Sequence, residues 1–155
     1  MTVWSLEYGV RMTIRNLNYE ELKGALPLIY NVFCEYEAPN YSEEAKHMFK
    51  NAIFDEDYLA TLIAYGAYDN DTLVGVLATK NNDSHVALFF VDGVYHRRGI
   101  GKALWDRMMS ENSNNRITVH SSIYAVPIYE KLGFIKTEEV RTEDGITFVP
   151  MVFMR

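Results

Sequence analysis

Apolar and polar positions alternate in some stretches of the chain and recur at helical spacing in others. Alternation over residues 12–17 predicts a strand. Over residues 20–37 the apolar positions return every three or four residues, which predicts a helix. Pro27 lies inside that pattern, so a helix must begin near it or bend at it. Ser42 is suited to cap a second helix, because its hydroxyl can accept a hydrogen bond from a first-turn amide.

The rest of the chain alternates between β-rich runs and helical patterns, separated by Asn, Asp and Gly turns. Gly133 is placed to end the last helix, since glycine readily adopts the left-handed conformation that follows a helix. In chain order the predicted elements are strands over residues 59–68, 73–80 and 84–91, a helix over 100–112, a strand over 117–119, a helix over 122–131, and a hairpin of 134–140 with 146–154.

This order, β-αα-βββ-α-β-α-ββ, predicts an α+β (mixed α/β) fold. Consecutive hairpins followed by alternating strands and helices indicate a mixed, mostly antiparallel twisted sheet with helices on both faces. We expect about six to seven strands in that sheet. The second methionine, Met12, opens the first clear strand, so residues 1–11 are interpreted as a loosely attached N-terminal extension and residues 12–155 as the single domain.

Composition excludes several classes of protein. With 155 residues, 48% hydrophobic and 23% charged, the chain is typical of one globular domain. A net charge of −6 argues against nucleic acid or an anionic membrane as the main partner. The single cysteine, Cys34, rules out an internal disulfide and fits a reducing compartment. There is no signal-peptide pattern and no bilayer-spanning run, so the expected location is the cytoplasm. No cluster has metal-ligand spacing, so we expect no metal.

The most informative stretch is FVDGVYHRRGIGKAL, residues 90–104. An apolar run ends there and an amphipathic helix begins after two arginines and two glycines. The first amides of a helix lack intrahelical partners, and the helix dipole makes that end attractive to anions. Gly99 and Gly101 would let a phosphate approach the backbone, and Arg97, Arg98 and Lys102 would add positive charge. The motif is neither a Walker loop nor a Rossmann fingerprint. The motif alone does not exclude the alternative, which is a glycine-containing turn before a solvated helix start that binds no ligand.

Two motifs resemble those of the GNAT N-acetyltransferases. HRRGIGKAL after FVDGVY resembles motif A, Gln/Arg-x-x-Gly-x-Gly/Ala, although His96 occupies the first position. VHSSIYAVPIYEKLGF, residues 119–134, resembles motif B with its Tyr-x-x-x-Gly-Phe ending. The motifs are correctly ordered and spaced, and the resemblance covers residues 12–155. It is closest in character to small GNAT proteins of unassigned substrate.

The resemblance implies that acetyl-CoA is the co-substrate. In the family, backbone amides of motif A hold its pyrophosphate, and the pantetheine arm enters a gap between two splayed central strands, here residues 84–91 and 116–121. The backbone near Phe90 and Val91 would bind the arm, and Ser122 would touch it or cap the next helix. The implied cofactor-binding residues are Phe90, Val91, Arg97, Arg98, Gly99, Ile100, Gly101, Lys102, Ala103, Ser122 and Tyr129.

The resemblance also implies catalytic roles. Tyr129 matches the tyrosine that protonates the departing thiolate in many GNAT enzymes, and a phenol is protonated at neutral pH. A core aromatic residue is the alternative for this position. The base is left open: His85 is one candidate because imidazole titrates near neutrality. Glu35 or Glu37, His120, or an ordered water chain are the others.

The acceptor site of the family is formed by the first two helices, their connection and the last hairpin. The residues implied here are Glu35, Tyr36, Glu37 and Tyr41. Carboxylates beside aromatic rings favour a cationic amine, whereas an ordinary solvated acidic surface is the alternative. The expected reaction is direct transfer of acetyl from acetyl-CoA to a primary amine of a small molecule or peptide in a ternary complex. A non-catalytic acyl-CoA-binding module or sensor is the second hypothesis. A homodimer that pairs through residues 147–154 is a further expectation.

Overall fold

The fold is built on one mixed sheet. The computed structural model describes residues 2–5, 11–143 and 145–155, with side chains from residue 12 onward. In this part of the chain the strands are β1 Thr2–Ser5, β2 Arg11–Leu17, β3 Ile63–Asp69, β4 Thr72–Lys80, β5 His85–Val91, β6 Arg116–Ser121, β7 Ile135–Lys136, β8 Arg141–Glu143 and β9 Ile146–Met154. Their order in the sheet is β1-β2-β3-β4-β5-β6-β9-β7, and β8 also pairs with β9. Among these described strands, only β5 and β6 are parallel neighbours.

Helices lie on both faces of this sheet. They are α1 Tyr19–Gly24, α2 Leu26–Val32, α3 Glu43–Ile53, α4 Glu56–Ala60, α5 Ile100–Ser110 and α6 Val126–Leu132, with a π-helical turn at Phe33–Glu37 and a 3₁₀ turn at Gly93–Tyr95. One core packs α5 and α6 residues such as Leu104 and Tyr129 on one face, and another packs α2 residues such as Ile29 on the other. The predicted fold class is therefore confirmed.

Local sequence signals account for most helix boundaries. Ser42 accepts a hydrogen bond from the Ala45 amide at 3.1 Å and caps α3, as predicted. Pro27 lies in the first turn of α2, where its missing amide costs nothing, so a new helix begins there. Gly133 follows α6 with a φ of 106°, as the glycine pattern predicted. The start of α6 needs correction: the helix begins at Val126 rather than at residue 122, and its N-cap is Ala125, so Ser122 does not cap it. In the described residues no helix is both long and apolar enough to cross a membrane.

Three expectations about the strands need correction. The predicted strand 59–68 begins only at Ile63, because Asp55 caps the short helix α4 and draws residues 56–60 into it. Of the predicted strand 134–140 only β7 forms, whereas β8 lies beyond it at residues 141–143, and both pair with β9. The sheet has nine strands among the described residues, more than the expected number.

The N-terminal extension contributes one of these extra strands. Residues 2–5 pair with β2 in antiparallel register, from Thr2 opposite Ile14 to Ser5 opposite Arg11. The rest of the extension, residues 6–10, lies outside the described residues, as does Met1. The division into an extension and a domain at residue 12 therefore stays a prediction.

The last long strand does not offer the edge that dimerisation through it requires. β9 pairs with β6 over residues 149–154, and it also pairs with β7 at residues 151–152 and with β8 at residues 146–148. Pairing with a second subunit would have to displace one of these neighbours. The expectation of a homodimer stays a prediction.

The central feature of the fold is the separation of β5 from β6. The two strands pair only where His85 lies opposite Thr118 and Val86 opposite Val119. Past that point they part, which confirms the predicted splay. The register between β4 and β5 also shifts, so that Ala87 is an extra, bulged residue on β5. A bulge bends its strand and increases the local twist. It therefore helps to open a cleft beside β6.

Candidate active site

A cavity of about 120 Å³ lies where the two central strands part. It is bounded by β5 and β6, by the segment from the π-helical turn to α3, by α6 and by the start of β9. The residues that line it are Phe33, Glu37, Tyr41, Phe49, Val86, Ala87, Phe89, Phe90, Val119, His120, Ser122, Tyr129, Ile146, Thr147 and Phe148. The ionisable side chains among them are one carboxylate, one imidazole and two phenols.

The N-terminus of α5 has the geometry of an anion site. Gly99 is its N-cap with a φ of 83°, and Arg97 also has a positive φ of 64°. The first intrahelical bond runs from the Ala103 amide to the Gly99 carbonyl at 3.0 Å, so the three preceding helical amides have no such partner. A Cβ placed on Gly99 would meet no atom within 4 Å. The backbone here is therefore open to a ligand.

The basic side chains around this helix start are largely engaged within the protein. Lys102 pairs with Asp106 at 2.7 Å. The guanidinium of Arg98 lies over the Tyr95 ring, 5.4 Å from its centre, and Arg97 is exposed. His96, the residue that departs from motif A, places Nε2 2.7 Å from the Val91 carbonyl oxygen. Backbone amides are thus better placed than these side chains to hold an anion.

Glu37 is the carboxylate of the cavity. It ends the π-helical turn, which the Ala38 amide closes on the Phe33 carbonyl at 2.9 Å. Such turns often occur at functional sites. The Ser122 hydroxyl donates to Glu37 Oε1 at 2.8 Å. Burial raises the pKa of Glu37 to about 7, although the hydrogen bond from Ser122 acts in the opposite direction. This carboxylate therefore exchanges its proton near neutral pH.

Tyr129 lies in α6 and is buried. Its ring packs edge to face against Phe89, with centroids 6.0 Å apart, and against Phe134 at 5.2 Å. Burial raises the pKa of the phenol well above its ordinary value, and the charge of Glu37 raises it further. Tyr129 therefore both packs in the core and lines the cavity, and its catalytic role stays a prediction.

The two histidines differ in position. His85 contacts Thr118 Oγ1 through Nδ1 at 2.7 Å, at the closed end of the splay and outside the cavity lining. Burial, then the neighbouring His120 and Lys80, lowers the pKa of His85 to about 4. His120 lines the cavity and stacks on Phe148 with centroids 4.6 Å apart. Burial followed by the charge of Lys80 lowers its pKa as well.

The four predicted acceptor residues separate into two pairs. Glu37 and Tyr41 line the cavity, and Tyr41 both donates to the Thr147 carbonyl at 2.9 Å and accepts from the Thr147 amide at 3.1 Å. Glu35 is exposed and outside the lining. Tyr36 also lies outside it and packs on Gly93, where an added Cβ would come within 2.1 Å of the tyrosine hydroxyl.

The sequence did not single out a group of aromatic side chains that line the cavity, here called the aromatic wall: Phe33, Phe49 and Phe148. The rings of Phe33 and Phe49 stack with centroids 3.7 Å apart, and Phe148 and Ile146 of β9 also line the cavity. These positions follow ordinary core periodicity, so no sequence signal distinguishes them from buried packing residues. In the described residues no three acidic, cysteine or histidine side chains converge on a metal position. The expectation of no metal stays a prediction.

Comparison with known proteins identifies the family. Residues 37–154 match the acetyltransferase (GNAT) domain family. The chain therefore belongs to the GNAT acetyltransferases, a family of acyltransferase enzymes. YafP, an uncharacterized N-acetyltransferase of Escherichia coli strain K12, is 34% identical over 73 residues. That match covers 47% of this chain and 47% of YafP, so it spans about half of that protein.

Solved structures show the same fold. A GCN5-related N-acetyltransferase from Rhodopseudomonas palustris superimposes with a TM-score of 0.79 at 19% identity, over 100% of this chain and 99% of that chain. PaiA N-acetyltransferase from Thermoplasma acidophilum, in complex with coenzyme A, gives a TM-score of 0.72 at 20% identity, over 93% and 99% of the two chains. At these identities the likeness concerns the fold alone.

Proposed function

We propose that this protein is an N-acetyltransferase that moves the acetyl group of acetyl-CoA directly to a primary amine. The observation that supports this most is the pairing, in one cavity between parted strands, of a carboxylate that titrates near pH 7 with a buried, protonated tyrosine. A proton acceptor and a proton donor of this kind are what transfer from a thioester to an amine requires. A non-catalytic binding module would need neither.

The residues around α5 fit the diphosphate of acetyl-CoA. Three backbone amides without intrahelical partners, at Ile100, Gly101 and Lys102, point out of the helix start, and the space above Gly99 is open. The unpaired parts of β5 and β6 offer backbone groups to an amide-containing arm, with Phe90 lining the cavity there. The bound thioester supplies an activated acyl group and a thiolate leaving group.

The proton transfers follow from the two titrating groups. Glu37, when ionised, takes a proton from the acceptor ammonium and leaves a neutral amine. The amine nitrogen forms a bond to the thioester carbonyl carbon, and the carbon–sulfur bond breaks. Tyr129 donates its phenolic proton to the departing thiolate, and the nitrogen loses its second proton to solvent as the amide forms. Solvent then returns a proton to the Tyr129 phenolate and takes the proton held by Glu37. The products are the acetamide and CoA.

We propose Glu37 as the base in preference to the other candidates. His85 lies outside the cavity and has a pKa of about 4, so it is a weak base at neutral pH. Glu35 is exposed and also outside the cavity. His120 does line the cavity, but its lowered pKa makes it the weaker acceptor of a proton from an alkylammonium group.

Replacing Gly101 should separate folding from cofactor binding. A Cβ at this position would approach only the Phe89 ring, at an ordinary 3.7 Å, so Gly101→Ala is expected to stabilise α5 by up to about 1 kcal/mol. The same methyl occupies space beside the amides that hold the diphosphate. We expect the CoA Kd, measured by calorimetry, to rise about tenfold or more. Gly24→Ala, in open space at the end of α1, is the control that should leave Kd unchanged.

The aromatic wall indicates which amines are accepted. Among the described lining residues there is one carboxylate, whereas Phe33, Phe49 and Phe148 supply three rings on the acceptor side. A polyamine or aminoglycoside would bury several charges against these rings, which is costly without partners. We therefore propose a monoamine that carries an aromatic or branched apolar group.

Thiol release from acetyl-CoA in the presence of amines tests this proposal. Phenethylamine and isopentylamine are expected to give kcat/KM values about tenfold or more above that of spermidine. Phe49→Leu should reduce that ratio, whereas Phe54→Leu, an exposed ring outside the cavity, should not. A preference for spermidine would overturn the acceptor class. Absence of release with every amine, despite measurable acetyl-CoA binding, would favour the binding-module hypothesis.

A further inference from the structure

We infer that Ser122 is a positioning residue that fixes the base Glu37 and the start of the helix carrying Tyr129 through one hydroxyl group. The inference rests on the proposed function, because it concerns the two groups that move protons there. Ser122 follows the last residue of β6 and precedes α6. It is half-buried and lines the cavity, although it has no proton to exchange at neutral pH.

The geometry assigns a direction to each hydrogen bond of this hydroxyl. Oγ accepts from the Ala125 amide at 3.1 Å, which supports the turn that leads into α6. A serine hydroxyl has one proton to donate, and it donates that proton to Glu37 Oε1 at 2.8 Å. The two bonds engage opposite capacities of one oxygen, so neither weakens the other by competition. Glu37 and Ser122 are 85 positions apart in the chain, and the bond joins the two sides of the cleft.

The bond has a chemical consequence for Glu37. A donor to a carboxylate stabilises the charged form, which burial otherwise disfavours. It also engages Oε1, which leaves Oε2 as the carboxylate oxygen that can accept a proton from the amine. The side chain of Glu37 would otherwise have three rotatable bonds with which to leave the cavity. Ser122 is therefore expected to affect both the fraction of active base and its orientation.

Other groups around Glu37 cannot supply the same effect. The remaining ionisable side chains of the cavity are Tyr41 from the segment before α3, His120 from β6 and Tyr129 from α6. No lysine or arginine is present among the lining residues that the structure describes. Glu35, on the same π-helical turn, is exposed. The Ser122 hydroxyl is the donor that counteracts burial of the carboxylate.

If Ser122 had only a structural role, its substitution would change stability but not the titration of Glu37. Ser42 caps α3 with the same donor spacing and the same 3.1 Å distance, from Ser42 Oγ to the Ala45 amide, but lies outside the cavity lining. Ser42→Ala should lose about 1 kcal/mol of stability from the missing cap. Ser122→Ala should lose about as much from the missing bond to the Ala125 amide, in the turn before α6. Only Ser122→Ala removes the donor to Glu37. The pair of variants therefore separates capping from positioning.

The test combines a titration with a rate measurement. Carbon-detected NMR of the Glu37 carboxyl would follow its protonation in the wild type and in Ser122→Ala, Ser122→Gly, Ser122→Thr and Ser42→Ala. We expect the midpoint to rise by about one pH unit in the Ala and Gly variants, since a hydrogen bond to a charged group is lost. Ser122→Thr keeps the hydroxyl, so its Glu37 midpoint should equal that of the wild type. The acid limb of kcat/KM for CoA release should move by the same amount. Ser122→Gly is a second variant that lacks the hydroxyl, and it tests the result if Ser122→Ala folds poorly.

The outcomes distinguish this inference from the proposed function. A Glu37 midpoint that is the same in Ser122→Ala, Ser122→Gly and the wild type would overturn the positioning role, even if the wild type acetylates amines. A shifted midpoint in a protein that releases no CoA with any amine would support the hydrogen bond and contradict the proposed function. Equal shifts in Ser42→Ala and Ser122→Ala would also overturn the inference, because the shift would then not depend on the hydrogen bond to Glu37.

Discussion

Glu37→Gln is expected to lower kcat for CoA release by about 10²- to 10⁴-fold, the usual contribution of a positioned base. Glutamine keeps the size of the side chain and can still accept the hydrogen bond from Ser122, so the loss reports the missing proton acceptor. In the wild type, kcat/KM should rise with pH through about 7, where Glu37 loses its proton. The residual kcat/KM of the variant should not show this rise with pH. The control is Glu44→Gln, an exposed carboxylate on α3 outside the cavity.

The same substitution should make the protein more stable at alkaline pH. The pKa of Glu37 rises from 4.5 to about 7 on folding, so between these values the folded state holds a proton that the unfolded state has lost. The free energy of unfolding therefore falls as pH rises through this window, and the loss is complete above it. The glutamine side chain of the variant carries no charge to desolvate. We expect the variant to exceed the wild type in stability by up to about 3 kcal/mol at pH 8 and to match it near pH 4.

Denaturant unfolding at pH 4 and pH 8, with kinetics on the same samples, would test both effects. Full activity in Glu37→Gln would remove the assignment of the base. A variant that is less stable than the wild type at pH 8 would show that the Glu37 charge is well solvated or compensated in the folded protein. The two results are independent, since stability does not require that catalysis occurs.

Tyr129→Phe should lower kcat by about 10²-fold or more while changing the Kd for acetyl-CoA little. The ring keeps its contacts with Phe89 and Phe134, so the fold and the cleft should persist. What is lost is the proton for the leaving thiolate. Because burial raises the pKa of this phenol, the wild type should show no alkaline loss of activity from Tyr129 below about pH 10.

A matched tyrosine elsewhere controls for the loss of a buried hydroxyl. Tyr65 is almost fully buried on β3, and burial raises its pKa to about 12, but it does not line the cavity. Tyr65→Phe is expected to retain wild-type kcat. Stopped-flow thiol release and calorimetry with acetyl-CoA measure the two quantities. If Tyr129→Phe turns over at the wild-type rate, Tyr129 serves only as a packing residue.

The family and fold class were accessible from the sequence because their signals are local. Gly99 and Gly101 at the start of an amphipathic helix mark the turn that is predicted to bind an anion, within a few residues. Gly133 and Ser42 mark helix ends by the same kind of short-range hydrogen bonding. Local signals were weaker where two structures compete, as at residues 56–60, where a capped helix forms in place of the start of a strand.

The base could not be chosen from the sequence because its chemistry depends on distant neighbours. His85 has the more suitable ordinary pKa, yet burial beside His120 and Lys80 lowers it to about 4. Glu37 has an unsuitable ordinary pKa, and burial raises it to about 7. Desolvation thus reverses the order expected from model compounds, and it is a property of the packed cavity.

The sequence by itself determined the order of helices and strands, the turn that begins α5 and the family to which the chain belongs. These depend on hydrophobic period, capping residues and glycine positions, all of which act over a few residues. The tertiary structure alone decided that β5 is bulged at Ala87, that an aromatic wall faces the parted strands, and that Ser122 holds Glu37 across the cleft. Burial and long-range hydrogen bonds set these features, and neither exists until the chain has folded.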